Sequence, residues 1–183
     1  MRKSLVVLAF LLLFSGCERQ DHEQDVLRLR ASMQNGCSFD VKITADYGDV
    51  IYHFVMNCIC DGQGNLQFTV QSPESIAGIA GNISAGVGKL TFDDTALALS
   101  LLADGQLSPI SGPWVMVKAL LGGYLTSSGT DGEYTRATIK DSYEADAYTV
   151  DVWLSEDNIP VRGEILWKNR RVLTMDVENF QIM

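Results

Sequence analysis

Positive charge and histidine are what this chain has least of. Fourteen Lys and Arg stand against twenty-three Asp and Glu, giving a formal charge of -9 over 183 residues. A surface of that sign repels phosphate, which excludes nucleic acid as a partner and rules out adhesion to anionic lipid by charge alone. There are two histidines, His22 and His53, and four cysteines. A closed zinc site wants four nitrogen or sulfur ligands, and His53 has the opposite strand parity to Cys58 and Cys60, so no metal site is expected. No G-x-S-x-G nucleophile motif occurs, and the acid pairs Asp93-Asp94 and Glu156-Asp157 fall in turns where carboxylates are simply solvated. The glycine-rich run Gly86-Val87-Gly88-Lys89-Leu90 is no phosphate loop, because Ile83 stands where the first glycine is required and Leu90 where Ser or Thr is required. No catalytic residue and no cofactor is therefore expected, and the chain reads as a protein that is not an enzyme. Prolines number four, and neither a low-complexity tract nor a repeat of fixed period is present.

Apolar sequence is concentrated in two places. The first is the amino terminus, where Met1-Arg2-Lys3 is basic, Leu5 to Leu13 is apolar, and Phe14-Ser15-Gly16-Cys17 puts small residues before a cysteine. This segment resembles a bacterial lipobox. The resemblance implies a signal peptide over residues 1–16, cleavage before Cys17, and diacylglycerol and palmitate modification of Cys17 that ties the protein to a membrane outside the cytoplasm. Removing residues 1–16, which carry Arg2 and Lys3, leaves 167 residues and takes the formal charge to -11. Residues 17–25 read as a polar spacer, and residues 26–183 as a single domain large enough for a real core.

The second apolar stretch is Ser108 to Tyr124. Between Trp114 and Leu121 the one charged residue is Lys118, so a helix here is apolar on nearly every face and must be buried. It is too short to cross a bilayer. Ser111 is placed to cap it, Pro113 falls in its first turn, and Gly122-Gly123 stops it.

Around this helix the sequence alternates as strands do. Val26, Leu29 and Met33 fall at helical spacing ahead of Asn35-Gly36, but from Cys37 the period is two. With Tyr47-Gly48 as a two-residue turn, Phe39 faces Met56, Val41 faces Phe54, Ile43 faces Tyr52, and Cys37 faces Cys58. In an exported chain that last pair can form a disulfide, the alternative being that the cysteines serve as small buried apolar groups. Further strands are expected at Leu66 to Val70, in three short pieces between Ile76 and Leu101, and in four long pieces over about 133–141, 145–155, 160–167 and 171–180. Ser127 to Gly132 reads as a flexible loop, and Lys168-Asn169-Arg170 as a three-residue connection that sets Ile165 against Leu173 and Gly163 against Met175. Trp114, Trp153 and Trp167 read by default as core residues. The count is about ten antiparallel strands and two helices, an α+β chain that is mainly β.

The order of these parts, with Leu107-Ser108-Pro109 opening the internal helix and Pro160-Val161-Arg162-Gly163-Glu164-Ile165 opening a last hairpin, resembles the LolA/LolB-like superfamily, nearest to GerS-type lipoproteins of spore-forming bacteria. The resemblance implies an unclosed antiparallel β-barrel curled over an N-terminal helix and an internal apolar helix. It also implies a lipoprotein of the bacterial cell envelope, lipid-anchored and extracytoplasmic. Two functions are then expected as alternatives. One is binding of lipid or another apolar ligand on the concave face, lined by Tyr52, Phe54, Phe68, Trp114, Val117, Leu120 and Leu121. The other is docking of an envelope or spore-wall enzyme on an edge strand or on the loop from Ser127 to Gly132.

Overall fold

The computed structural model describes residues 22–85, 87–92, 95–99, 102–103 and 106–183. Cys17, the expected signal segment and the start of the spacer lie outside these residues, as does the expected Asp93-Asp94 turn. The chain runs through helix α1 (His22–Ser32), strands β1 (Cys37–Asp46), β2 (Ile51–Cys60), β3 (Leu66–Ser72), β4 (Ala80–Ser84), β5 (Val87–Phe92) and β6 (Thr95–Leu99). A short ladder of β7 (Leu102–Ala103) with β8 (Gln106–Leu107) leads to helix α2 (Gly112–Gly122). Then follow β9 (Tyr124–Asp131), β10 (Tyr134–Lys140), β11 (Thr149–Leu154), β12 (Pro160–Trp167) and β13 (Arg170–Ile182). Eleven strands form one antiparallel sheet in the order β6-β5-β4-β3-β2-β1-β13-β12-β11-β10-β9. It does not close on itself, so β6 and β9 are its edges. The fold is mainly β, an open barrel with two helices, as expected.

Alternation is what makes β1 the central strand. Cys37, Phe39, Val41, Ile43 and Ala45 are each at most 1% exposed, with polar residues between them. The same inner face continues through Met56 of β2, Leu66, Phe68 and Val70 of β3, Ile165 of β12 and Leu173 and Met175 of β13. Helix α1 includes His22 to Asp25, so four described residues of the expected spacer are helical. It buries Val26 and Leu29 and continues into a short 3₁₀ turn that buries Met33.

The register of the first hairpin differs from the expected one by two residues. Cys37 pairs with Cys60, Phe39 with Cys58, Val41 with Met56, Ile43 with Phe54 and Ala45 with Tyr52. The connection holds four residues, Tyr47 to Val50. Asp46 Oδ1 accepts the Gly48 N–H at 2.8 Å, an Asx turn that carries Gly48 at φ +92°. A slip of two leaves every side chain on its own face, so burial patterning cannot tell the two registers apart. The expected pairing of Cys37 with Cys58 is thereby replaced, and Cys37, Cys58 and Cys60 are free thiols in this structure.

Two connections also differ. Ser127 to Gly132 is no loop: most of it belongs to β9, paired with β10 from Tyr124↔Lys140 to Asp131↔Tyr134. Its small hydroxyl residues bury neither face, so no alternation marks it as a strand. At the last hairpin, Ile165 faces Leu173 and Gly163 faces Met175 as expected, but Trp167 pairs with Arg170 across a two-residue turn. Lys168 and Asn169 take φ of +50° and +63° there, and an irregularity at Ile165/Leu166 absorbs the extra residue.

Helix α2 is buried as its composition requires, with Met116, Val117 and Ala119 at 0% exposure and Lys118 the outward residue. Ser111 does not cap it. That residue has helical φ and ψ, and its buried Oγ makes no hydrogen bond. The carboxyl end is closed from outside the helix instead. Arg30 of α1 donates from Nε to Leu120 O at 2.6 Å and from Nη2 to Gly123 O at 2.9 Å. A guanidinium there satisfies carbonyls that the helix leaves over and meets the negative end of its dipole.

Candidate functional site

The seven residues expected to line a concave binding face do not share one space. Phe68, Val117 and Leu120 are buried in closed core, none more than 3% exposed. Tyr52 and Phe54 lie at the Tyr47 end of β2. There Tyr52 stacks edge-on against Tyr47 at 6.0 Å between centroids and tilts against Phe54 at 6.3 Å. Tyr47 donates its hydroxyl to Leu107 O at 2.5 Å, and burial pushes its phenol up to about 12. Tyr52 remains 45% exposed.

Trp114 and Leu121 do come together. They border a hollow of about 500 Å³, open to solvent, between the outward side of α2 and the turns that end β2 and β4. Its other walls are Gly62, Gln63, Gly64, Ala85, Lys118 and Gly122. Each wall has a local cause. Pro113 starts α2 so that Trp114, Lys118 and Leu121 fall at spacings of four and three, on one helix face. The facing turn is built by Asp61, whose Oδ1 accepts the N–H groups of Gln63 and Asn65, both at 2.9 Å, and whose Oδ2 accepts Asn65 Nδ2 at 2.7 Å. These bonds, the Asn65 side chain first, hold the Asp61 carboxyl below the usual carboxylate range. They also turn its charge into the loop and away from the hollow.

The helix and the turn are joined by one polar contact, in which Trp114 Nε1 donates to Gly64 O at 3.0 Å. The Lys118 ammonium stands 5.2 Å from the centre of the Trp114 ring. The hollow thus has an aromatic and aliphatic floor, backbone walls, one cation at its rim, and no carboxylate among its lining residues. No nucleophile with a neighbouring base stands in it. Its chemistry is that of holding an apolar body with an anionic end.

A second cluster, on the outer face of the sheet, was not anticipated. Trp153 of β11 lies between Arg136 of β10 and Arg162 of β12, with guanidinium carbons 5.1 and 5.2 Å from its ring centre. Its Nε1 donates to Asp131 Oδ2 at 2.8 Å. Beneath it Asp151 accepts from Arg136 and Thr138, both at 2.6 Å, and Glu164 accepts from Arg162 at 2.5 Å and Arg171 at 3.1 Å. Trp153 is therefore no core residue. Val150, Val152 and Leu154 point inward, and the strand puts Trp153 on the other side. Trp167, by contrast, is partly buried and packs against the core, with Lys168 over its ring. His53 points outward as its parity required, hydrogen-bonded to Thr44.

No family model matches the sequence, and no curated protein matches it. Several solved structures are similar in shape. An uncharacterized conserved protein from Thermus thermophilus aligns at a TM-score of 0.50 with 10% identity, over 88% of this chain and 87% of that one. A LolA superfamily protein from Nitrosomonas europaea aligns at 0.45 with 12% identity, over 87% and 93%. The Mycobacterium tuberculosis lipoprotein LppX aligns at 0.43 with 12% identity, over 91% and 100%. At such identities the likeness is one of fold.

Proposed function

We propose that this protein is a lipid-anchored envelope protein that holds an apolar molecule with an anionic end, an acyl chain with its carboxylate or phosphate, and does no chemistry on it. The observation that carries the reading is the hollow beside α2, where Trp114 and Leu121 form an apolar floor and Lys118 is the rim cation. The lipobox-like start supports the anchor at Cys17, and a tethered domain meets such molecules at the membrane it is tied to. The test uses membranes carrying the full chain, treated with palmitic acid that bears a photoactivatable diazirine and then digested for peptide mapping. Label is expected on the segments around Gly62 to Gly64 and Trp114 to Gly122. Label confined to other segments, or none above that of an unrelated tethered protein, would overturn the reading.

The second reading, docking of an envelope protein, is favoured by one observation. Ser127 to Asp131 lie in β9, beyond which no further strand pairs among the described residues. Between Thr126 and Thr130 this edge carries no Lys or Pro to discourage an added strand, and helix α1 reaches it at Thr130, whose hydroxyl lies 3.1 Å from His22 Nε2. Introducing lysine at both Ser128 and Thr130 is expected to release a partner held at this edge. Co-purification of an envelope enzyme that survives both changes would remove β9 as its dock.

A further inference from the structure

We propose that Cys37 and Cys60 form a disulfide in the exported protein, and that Cys58 stays a free thiol. The two cysteines are direct partners across the β1–β2 ladder, on the same inner face, and each is 1% exposed. Directly opposed residues of an antiparallel pair have Cα atoms about 4.5 or 5.5 Å apart, and both values lie within the span a disulfide bridges. Their Cβ atoms, about 4.5–5.5 Å apart in such pairs, need close by only a fraction of an ångström to about one. Cys58 is placed differently. It opposes Phe39, whose ring stacks on Phe180 at 5.7 Å, and it stands one diagonal step from Cys37, about 7–8 Å away and past bridging distance.

The local chemistry agrees with the geometry. A hydrogen bond between the two thiols holds Cys37 below the ordinary thiol value and pushes Cys60 up, so Cys37 is the member of the pair that ionises first, while burial pushes Cys58 up and it is geometry that leaves Cys58 out. The Cys37 thiolate attacks one sulfur of a small-molecule disulfide such as oxidised glutathione, forming a mixed disulfide and releasing one glutathione thiol. The Cys60 thiol, giving up its proton, then attacks the Cys37 sulfur and releases the second glutathione. Two protein thiols are oxidised and one disulfide is reduced to two thiols, so electrons and atoms balance. The bond ties the ends of β1 and β2 next to Asp61, where the turn facing α2 begins.

The test is made on the full chain refolded with oxidised and reduced glutathione, trapped with an alkylating agent and digested. Tandem mass spectrometry of the unmutated chain is expected to find the Cys37 peptide linked at Cys60, with Cys58 alkylated. Cys58→Ala is expected to keep the linkage and Cys60→Ala to lose it. Reduction is expected to lower the melting temperature on the order of 10 °C in the unmutated chain and in Cys58→Ala, and to leave Cys60→Ala unmoved. A Cys37–Cys58 or Cys58–Cys60 linkage, a linkage of Cys37 or Cys60 to Cys17, or alkylation of both Cys37 and Cys60 in the refolded chain, would overturn the proposal. The unmutated chain decides the matter if either variant fails to fold.

Discussion

Met116 of α2 rests on the backbone of Gly163 in β12, so closely that a Cβ placed on Gly163 would stand 2.7 Å from the Met116 sulfur and 3.1 Å from Met175 Cε. This contact is where the buried helix meets the sheet without a gap. Gly163→Ala is therefore expected to cost about 1–3 kcal/mol, the usual penalty for overpacking a core. Both neighbours are flexible methionines, which holds the cost toward the lower end. Met116→Ala alone leaves a void and costs about 2–5 kcal/mol. Urea denaturation of the two single variants and the double should show the double less destabilised than the two added, since the new methyl group occupies part of the vacated space. Additive costs would mean that Met116 and Gly163 are not in contact.

Arg30 is expected to matter more for α2 than Ser111, the residue placed to cap the helix's other end. Its guanidinium caps Leu120 and Gly123, and burial lowers its pKa. Arg30→Met keeps the stem and removes the donors, leaving partly buried carbonyls unpaired at a cost of about 1–3 kcal/mol. Arg30→Lys, whose one ammonium cannot reproduce the forked geometry, should fall between. Thermal unfolding of the three chains gives the order directly. Ser111→Ala, by contrast, removes a hydroxyl that has no partner and should be close to neutral.

Much of this architecture was legible because the signals were periodic. The alternation in Cys37 to Ala45, and the helix with Lys118 as its lone charge, each follow from one rule about burial. What stayed hidden had physical reasons. The hairpin register slipped by two because a slip of two preserves every face. Residues 127–131 form a strand that buries nothing, and such a strand has no pattern to read. Trp153 could have been placed on the outer face by the parity of Val150, Val152 and Leu154, but aromatic bulk argued for the core. The hollow between Trp114 and Gly64 depends on a contact between residues fifty positions apart, which no local pattern encodes.

Asp40 links acid stability to the centre of the sheet. Asn179 donates to its Oδ2 at 2.8 Å and Asn57 to its Oδ1 at 3.0 Å, and these bonds, Asn179 foremost, hold its carboxyl below the usual range. A carboxylate lowered on folding adds stability that is complete above its unfolded pKa of about 3.9 and is lost as pH falls through the lower folded value. Asp40→Asn should therefore be less stable than the parent at pH 7. The gap should stay constant down to about pH 4 and close below it. Urea midpoints of both chains across that range test the sign, and a gap that widens in acid would reverse it.

Lys118 offers the sharpest separation of a binding role from a structural one. It is exposed, and the Trp114 indole beneath it is already hydrogen-bonded to Gly64, so Lys118→Ala should change stability by less than about 0.5 kcal/mol. If the hollow holds an anionic apolar molecule, the same change removes an ion pair at a half-sheltered rim worth about 1 kcal/mol, roughly fivefold in affinity. Lys118→Glu should weaken binding further by repulsion. A long-chain alcohol, which has the apolar body without the charge, should bind the parent and Lys118→Ala alike. Leu121→Trp, filling the hollow itself, should weaken acid and alcohol together. Photolabelling competition with the two ligands against these variants distinguishes the cases. If acid and alcohol respond identically to the loss of Lys118, the cation has no part in recognition, and the hollow is an apolar groove only.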